Sequence, residues 1–320
     1  MKGRMLAILL ISLTLTHSSQ ALELFSSAKK ATRACTPVDL RASMGAVRNQ
    51  GSAGWCFAYA TSELVSYKTE IKISAAELAL NFYIQMPEMP RGDFLSQASG
   101  GSDMGAMSYS MARGFCPEKD MPSENYNISK ECLAGKRPFE TLDIVRLIEN
   151  IHQKMPSAMT ECQGSIVSSL FKNLSTLEIQ TILLDKKLTS LEKISALKDS
   201  NCSASRIKPA KKIKLKGGME AHDNTIIDID KQLDSKNPIS LNYNANFLLK
   251  NADPSIIGNH YSVIVGRRKV ENSCQYLIRN SWGPDCSIYP APFDTQCEAG
   301  NIWVDENTLM NAIIDVHFAL

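Results

Sequence analysis

The nine cysteines constrain this chain more than any other feature of its sequence. They lie at Cys35, Cys56, Cys116, Cys132, Cys162, Cys202, Cys274, Cys286 and Cys297. An odd number leaves one thiol unpaired, which in an exported protein indicates a functional role. If Cys56 is the free one, eight cysteines remain, and eight allow 105 pairings. A bridge between Cys162 and Cys202 would staple a hairpin of two predicted helices.

Residues 1–21 are a predicted secretory signal peptide. Lys2 and Arg4 precede an apolar run from Leu6 to Leu15, and Ser19-Gln20-Ala21 has the small-x-small pattern of a cleavage site. The run is shorter than the roughly 18 apolar residues that a membrane-spanning helix needs. An uncleaved N-terminal anchor is the alternative. We therefore expect a secreted or periplasmic protein that folds in an oxidising compartment.

Composition excludes several function classes. The 320 residues carry a formal net charge of +2, which is too balanced to indicate a nucleic-acid or membrane-surface partner. No Cys-x-x-Cys or His-x-x-x-His spacing of a zinc site occurs. We expect no metal and no cofactor.

Behind the leader, the chain divides into three stretches of different composition. Residues 22–128 mix helical segments with glycine and aromatic residues, residues 129–217 are rich in lysine and leucine, and residues 218–320 contain short apolar runs separated by Asn, Asp, Gly and Pro. Apolar spacing predicts helices in the first two stretches, and one helix followed by strands in the third. The predicted helices cover 56–70, 74–86, 103–113, 139–152, 166–174, 177–197 and 225–233, and the predicted strands cover 239–243, 261–266, 275–279 and 300–304.

Helices followed by strands predict an α+β fold, in which the helices are segregated from an antiparallel sheet. We expect a helical lobe at 22–128, a helical insertion at 129–217 and a sheet-rich lobe at 218–320.

Cys56 occupies a position suited to a nucleophilic thiol. It begins the predicted helix 56–70, and a loop rich in small residues at 49–54 precedes it. A cysteine attacks as the thiolate, and the positive end of a helix dipole or a nearby imidazolium lowers the thiol pKa. We therefore predict that Cys56 is a nucleophile, which then requires a histidine as its base.

His260 is the leading candidate for that base. It stands directly before the predicted strand 261–266, which would hold its ring rigidly. His152 lies on a predicted solvated helix face, His222 in a polar loop and His317 near the C-terminus. A histidine that serves only the structure is the alternative for His260.

Two further residues complete a hypothetical catalytic set. Asn280 follows the next predicted strand, so antiparallel pairing would set it beside His260 to fix the tautomer, with Trp282 shielding their hydrogen bond. Gln50 precedes Cys56 by one short loop. Its side-chain amide and the Cys56 backbone N–H would form an oxyanion hole. A turn residue is the alternative for Asn280, and a core aromatic for Trp282.

Taken in order, these residues resemble the papain-like cysteine peptidases. The resemblance covers about half of the chain, at 47–114 and 220–304. It is carried by Gln50 to Ala58, Ala75 to Leu78, the pair Gly100 and Gly101, Asn259 with His260, Asn280 to Gly283, and Gly300 to Val304. We identify the chain as a divergent, exported and bacterial member of that family.

The resemblance implies a papain-like fold of two lobes with a substrate groove between them. It implies peptide-bond hydrolysis by Cys56, His260, Asn280 and Gln50 through a thioester. Its expected partner is a peptide or protein substrate, with a protein partner for the insertion as a further hypothesis. The expected substrate-binding residues are Gly100, Gly101, Trp55, Asn259 and Trp282.

The chain also departs from the family pattern. Ala53 stands where the family usually has a bridged cysteine, and Trp55 and Tyr261 replace small residues beside Cys56 and His260. The distance from Cys56 to His260 exceeds the roughly 130–150 residues expected of the family. The excess falls in the insertion, which is either a cover for the cleft or an ornament. Because only 34 residues separate Ala21 from Cys56, we expect no long inhibitory propeptide.

Two other function classes stay open. One is a catalytically silent module that binds peptide or protein on the same fold, and obstruction of the cleft by Trp55 or Tyr261 would favour it. The other is a cell-wall amidase with a Cys-His site on a smaller related fold. Such an amidase is not expected to contain the segment Asn280 to Gly283.

Overall fold

The computed structural model describes residues 35–86, 100–126, 128, 132, 140–154, 158–209, 213, 215–218, 222–253 and 257–319. Pro37–Leu320 forms one compact unit. The other unit, Met1–Thr36, contains two described residues, so the predicted signal peptide at 1–21 lies outside the described part of the chain. The domain boundaries expected at 128 and 217 stay predictions.

Three helices form the surroundings of Cys56: α1 (Cys56–Thr69), α2 (Ala75–Gln85) and α3 (Asp103–Met111). Helix α1 begins at Cys56, as the sequence predicts. The Ser74 Oγ caps α2 by accepting from the Glu77 N–H at 3.0 Å. The Ser74 N–H donates to the Cys116 carbonyl at 2.9 Å, and the Glu77 carboxylate accepts from Asn81 Nδ2 at 2.6 Å. Only one half of a capping box is therefore present.

The described part of 129–217 is mainly helical, with α4 (Thr141–Lys154), α5 (Glu161–Leu170), α6 (Thr176–Leu183) and α7 (Ser190–Cys202). The expectation of a single helix over 177–197 is wrong. Thr189 and Glu192 form a capping box that starts a new helix at Ser190. The predicted apolar face is nevertheless buried, with Ile179 and Ile194 both at 0% exposure.

The strands are β1 (Val38–Asp39), β2 (Leu215–Gly218), β3 (Ile239–Asn244), β4 (Asn259–Val270), β5 (Ser273–Arg279), β6 (Cys297–Glu298), β7 (Asn301–Asp305) and β8 (Ile313–Ala319). Helix α8 (His222–Asp234) precedes β3, and α9 (Glu306–Ala312) precedes β8. The strands form an antiparallel sheet in the order β2-β8-β3-β4-β5-β7-β6, with β1 paired to β4. Helix α1 packs against β4. The expected α+β class is confirmed.

The β4–β5 hairpin brings the start of β4, which carries His260, close to the end of β5, which precedes Asn280. His260 is the second residue of β4, and Asn280 directly follows β5. Val263 pairs with Arg279 in the antiparallel register. Because facing residues of such strands lie about 5 Å apart, the register sets Asn280 close to His260.

All nine cysteines lie among the described residues, and Cys56 is the free one. The other eight are disulfide-bonded, and three bridges join Cys116 to Cys202, Cys132 to Cys162 and Cys286 to Cys297. A bridge between Cys162 and Cys202 is therefore the wrong pairing. Cys202 is bonded instead to Cys116, so the disulfide joins the end of α7 to the segment that follows α3.

The described residues contain neither a candidate membrane span nor a candidate metal site. None of their helices is both long enough and apolar enough to cross a membrane. No group of three or more His, Cys, Asp or Glu among them is placed to hold a metal ion.

The Glu63 carboxylate on α1 joins the helices to the sheet. Its Oε1 lies 3.0 Å from Arg48 Nε and its Oε2 3.2 Å from Arg279 Nε. All three residues are at most 7% exposed. Burial raises the pKa of Glu63, but the two guanidinium groups more than offset this, and the pKa lies below its usual value.

We predict that Glu63→Gln lowers the free energy of unfolding at pH 7 by about 3 kcal/mol, because removing one partner of a buried pair leaves uncompensated charge. Since the folded-state pKa of Glu63 is depressed, the deficit is complete above pH 4.5 and shrinks as the pH falls through the folded pKa. Urea unfolding at pH 7 and at pH 4 measures both effects.

The matched control is Arg113→Gln, which breaks a pair with Asp199 at 3.2 Å in which both side chains are over 40% exposed. Its cost should stay within about 1 kcal/mol. Equal losses in the two variants would contradict the role given to Glu63.

Candidate active site

Cys56 is the first residue of α1 and is 7% exposed. The backbone N–H groups of Cys56 and Phe57 at this helix start point to the thiol, as does the N–H of Tyr261. The first N–H groups of a helix have no intrahelical partner, so they are available to a negative charge. Tyr261 directly follows His260 in β4, so the thiol lies beside the strand that carries the histidine.

The His260 ring is held by Asn280. His260 Nε2 lies 2.7 Å from Asn280 Oδ1, and His260 is 6% exposed. The same oxygen accepts from the Ser281 backbone N–H at 2.8 Å and from Ser262 Oγ at 3.2 Å. Asn280 Nδ2 donates to the Tyr289 hydroxyl at 3.2 Å. The Asn280 amide is thus fixed on both sides.

These contacts assign the tautomer of His260. The Ser281 N–H is always a donor, so the Asn280 atom that receives it is the amide oxygen. An oxygen acceptor requires that His260 Nε2 carries the proton. In the neutral ring, Nδ1 is then an acceptor, which is the form that a general base requires.

Gln50 is held against the residues that follow Asn280. Its backbone N–H donates to the Ser281 carbonyl at 2.8 Å, and its Oε1 accepts from Ser281 Oγ at 2.6 Å. One hydrogen of Nε2 donates to the Ala53 carbonyl at 2.7 Å. The second Nε2 hydrogen has no acceptor among the described residues, so a ligand oxygen can take it.

Trp282 covers the histidine. Its ring lies 4.7 Å from that of His260 between centroids, and it stacks on Tyr289 at 6.0 Å. Apolar rings around the His260–Asn280 hydrogen bond exclude water from it, and a lower local dielectric strengthens the bond.

The expected substrate-binding residues differ in what they offer. Gly100 uses both backbone groups internally, since its N–H donates to the Gly54 carbonyl at 2.8 Å and its carbonyl accepts from Tyr83 Oη at 2.6 Å. Gly101 is exposed, and its backbone makes no hydrogen bond to the described residues. A Cβ at Gly101 would come within 2.6 Å of the Phe57 ring, so a larger residue does not fit.

Trp55 and Asn259 lie at opposite extremes of exposure. Trp55 is 1% exposed and packs near Tyr83, with ring centroids 6.2 Å apart. It therefore presents almost no side-chain surface to a substrate. Asn259 is exposed at the start of β4.

Burial sets the protonation states of the central pair. It raises the pKa of the Cys56 thiol, and the backbone N–H of Tyr261 is the largest opposing influence. It lowers the pKa of His260 to about 4, against the hydrogen bond to Asn280. Both shifts favour the neutral form of each side chain.

Sequence reasoning missed several residues of the site. Ser281 lies inside the Asn280 to Gly283 segment, and its link to Gln50 follows from the proximity of those two segments. Ser262 lies two residues after His260 on the same face of β4, so strand periodicity signals it. Tyr289 carries no sequence signal that points to Asn280.

Tyr261 lies next to Cys56. Its hydroxyl meets Ser102, and burial, with nearby Asp103, raises its pKa. Asp103 in turn lies 3.1 Å from His317 Nδ1, at 0% exposure. Tyr261, the bulky residue directly after His260, is therefore part of a polar cluster at the edge of the site.

Comparisons with known proteins give a likeness of structure. No family model matches the chain, and no curated protein does. A mite-allergen structure from a study of Blo t 1 and Der p 1 is 14% identical, covering 92% of this chain and 73% of its own at a TM-score of 0.49. Digestive procathepsin L 3 of Tenebrio molitor larval midgut is 12% identical, covering 91% of this chain and 72% of its own at a TM-score of 0.47.

A third structure, proCathepsin B S9 from Trypanosoma congolense, is 12% identical, with coverages of 90% and 79% and a TM-score of 0.45. These structures are papain-like cysteine proteases. At such identities and TM-scores, their activity does not carry over to this chain. They give no support to the expected bacterial origin.

We predict that the pKa values of the two buried histidines among the described residues, His260 and His317, are shifted in opposite directions from the usual value. The pKa of His260 should be near 4, and the pKa of His317 should exceed 6.5, because Asp103 more than offsets the effect of its burial. Imidazole NMR shifts followed from pH 3 to pH 9 measure both. Titration of His260 at or above 6.5 would contradict the neutral pair, since a thiolate partner would raise its pKa.

Proposed function

We propose that this chain is an exported cysteine peptidase of the papain-like kind. One observation carries the proposal: the free thiol of nine cysteines heads a buried helix and lies at the N–H of the residue after His260, whose Nε2 is held 2.7 Å from Asn280. A nucleophile, a base and an orienting group in this order are the arrangement of nucleophilic catalysis.

In the proposed acylation step, His260 Nδ1 takes the thiol proton while the Cys56 sulfur attacks a peptide carbonyl. Asn280 keeps the proton on Nε2, so that Nδ1 remains the acceptor. The carbonyl oxygen becomes an oxyanion. The free hydrogen of Gln50 Nε2 and the Cys56 N–H at the start of α1 are the donors proposed to bind it.

The remaining steps return the site to its starting state. His260 Nδ1–H gives its proton to the leaving amine, and the C–N bond breaks to leave a thioester on Cys56. His260 then takes a proton from water, the hydroxide attacks the thioester, and the Cys56 sulfur leaves and is reprotonated. The open backbone of Gly101 is proposed to hold the substrate chain as an extended strand.

The disulfides support export. Eight disulfide-bonded cysteines are typical of a protein that folds in an oxidising compartment. The basic and apolar residues of 1–21 supply the proposed signal. Secretion or passage to a periplasm stays part of the proposal.

A catalytically silent binding module is the second candidate, and one observation favours it. Cys56 and His260 are only 7% and 6% exposed, and burial disfavours the charged form of both. A peptidase of this kind must move the thiol proton from Cys56 to His260 as the sulfur attacks. A binding module would leave the pair neutral when a peptide is bound.

We predict that Cys56→Ala abolishes hydrolysis of peptide substrates, by at least about 10³-fold, because no thioester can form. It should also abolish labelling by a thiol-directed epoxide inhibitor. Initial rates on a peptide library and intact-mass spectrometry measure the two effects.

The control is Lys68→Ala, an exposed residue near the other end of α1 whose Nζ contacts Asn237. It should keep wild-type rates and labelling. Labelling that persists in Cys56→Ala would overturn the assignment. A wild-type protein that binds peptide without cleaving it would establish the silent module instead.

A further inference from the structure

We propose that Glu140, in the inserted segment, is a positioning residue that holds the loop carrying Gln50. The inference rests on the proposed peptidase function. It assigns to the insertion a role in forming the oxyanion hole.

The Glu140 carboxylate lies directly on the loop. Its Oε2 accepts from the Ser52 backbone N–H at 2.8 Å and also from the Ser52 hydroxyl. A Cβ placed on Gly51 would lie 2.6 Å from the Glu140 carboxyl carbon. Gly51 adopts φ +60° as well, so glycine is required both for the turn and for the approach of the carboxylate.

The Ser52 anchor acts on Gln50 through the short turn that contains both. Ala53 N–H donates to the Gln50 carbonyl at 3.3 Å, and Gln50 Nε2 donates to the Ala53 carbonyl at 2.7 Å. Ser52 is the residue between the turn's glycine and Ala53. Fixing Ser52 therefore fixes the acceptor that orients the Gln50 amide.

The backbone of Glu140 is itself held by hydrogen bonds. Glu140 directly precedes α4, where its N–H donates to Asp143 Oδ2 at 2.9 Å and its carbonyl accepts from the Asp143 N–H at 3.0 Å. On the other side of the loop, Glu124 Oε2 accepts from the Asn49 N–H at 2.6 Å. The loop is thus held by carboxylates at both ends, and such charge-assisted hydrogen bonds are stronger than neutral ones.

A positioning role makes a specific kinetic prediction. The oxyanion exists after attack on the carbonyl and not in the bound substrate, so a displaced Gln50 should reduce kcat more than it changes KM. Alkylation of Cys56 by iodoacetamide forms no oxyanion. A loosened loop should therefore leave the alkylation rate unchanged.

The test compares Glu140→Ala, Glu140→Gln and the control Glu178→Ala in the full chain. Glu178 makes the same pair of contacts inside the insertion, accepting from Ser175 N–H at 2.8 Å and Ser175 Oγ at 2.7 Å. We expect kcat to fall about tenfold in Glu140→Ala with KM within about twofold, which is less than the roughly 10²–10³-fold loss of an oxyanion donor itself. Glu140→Gln keeps an accepting oxygen and should retain most of kcat, and Glu178→Ala should match the wild type.

Hydrogen exchange of the Ser52 amide gives a readout that is independent of hydrolysis. Exchange should be faster in Glu140→Ala than in the wild type. An unchanged kcat in Glu140→Ala, an equal loss of kcat in Glu178→Ala, or unchanged exchange of the Ser52 amide would overturn the positioning role of Glu140. A wild-type chain that hydrolyses no peptide would overturn the proposed function, and faster Ser52 exchange in Glu140→Ala would still support the contact itself.

Discussion

The ion-paired carboxylate of Glu63 is the interaction on which the geometry of the candidate site depends. Glu63 lies on α1, the helix headed by Cys56, and it binds two arginines. Arg48 precedes Gln50 by two residues, and Arg279 directly precedes Asn280. A single buried carboxylate therefore connects the segments of the nucleophile, the proposed oxyanion donor and the orienting amide. Because these ion pairs are buried, a shift of one segment relative to the others would leave a charge unpaired, which costs free energy.

Features encoded by neighbouring residues were predictable from the sequence. Cys56 begins a helix because small residues precede it and apolar spacing follows it. Asn280 lies at His260 because two strands joined by a tight hairpin fix their register, which makes a contact across 20 residues nearly local. The α+β order follows in the same way, since the spacing of apolar residues changes along the chain.

Features that depend on distant partners were not predictable. The disulfide of Cys202 goes to Cys116 at a separation of 86 residues, and no spacing rule selects it among the alternatives. The break within 177–197 was not predicted because the apolar periodicity continues across it. Helix α6 ends at Leu183, and the cap at Thr189 starts a new helix. Glu140 looks like one acidic residue among many in the sequence. Its contact with Ser52 spans 88 residues of the sequence and exists only in the folded chain.

The proposed activity requires that the buried Cys56 thiol becomes a nucleophile when substrate reaches it. Acid quenching during turnover of a peptide ester, followed by peptide mapping with mass spectrometry, detects the intermediate that this attack would form. We expect an acyl group bound to Cys56 as a thioester that hydroxylamine removes. Turnover of the ester without an acyl adduct, or with the adduct on a residue other than Cys56, would contradict it.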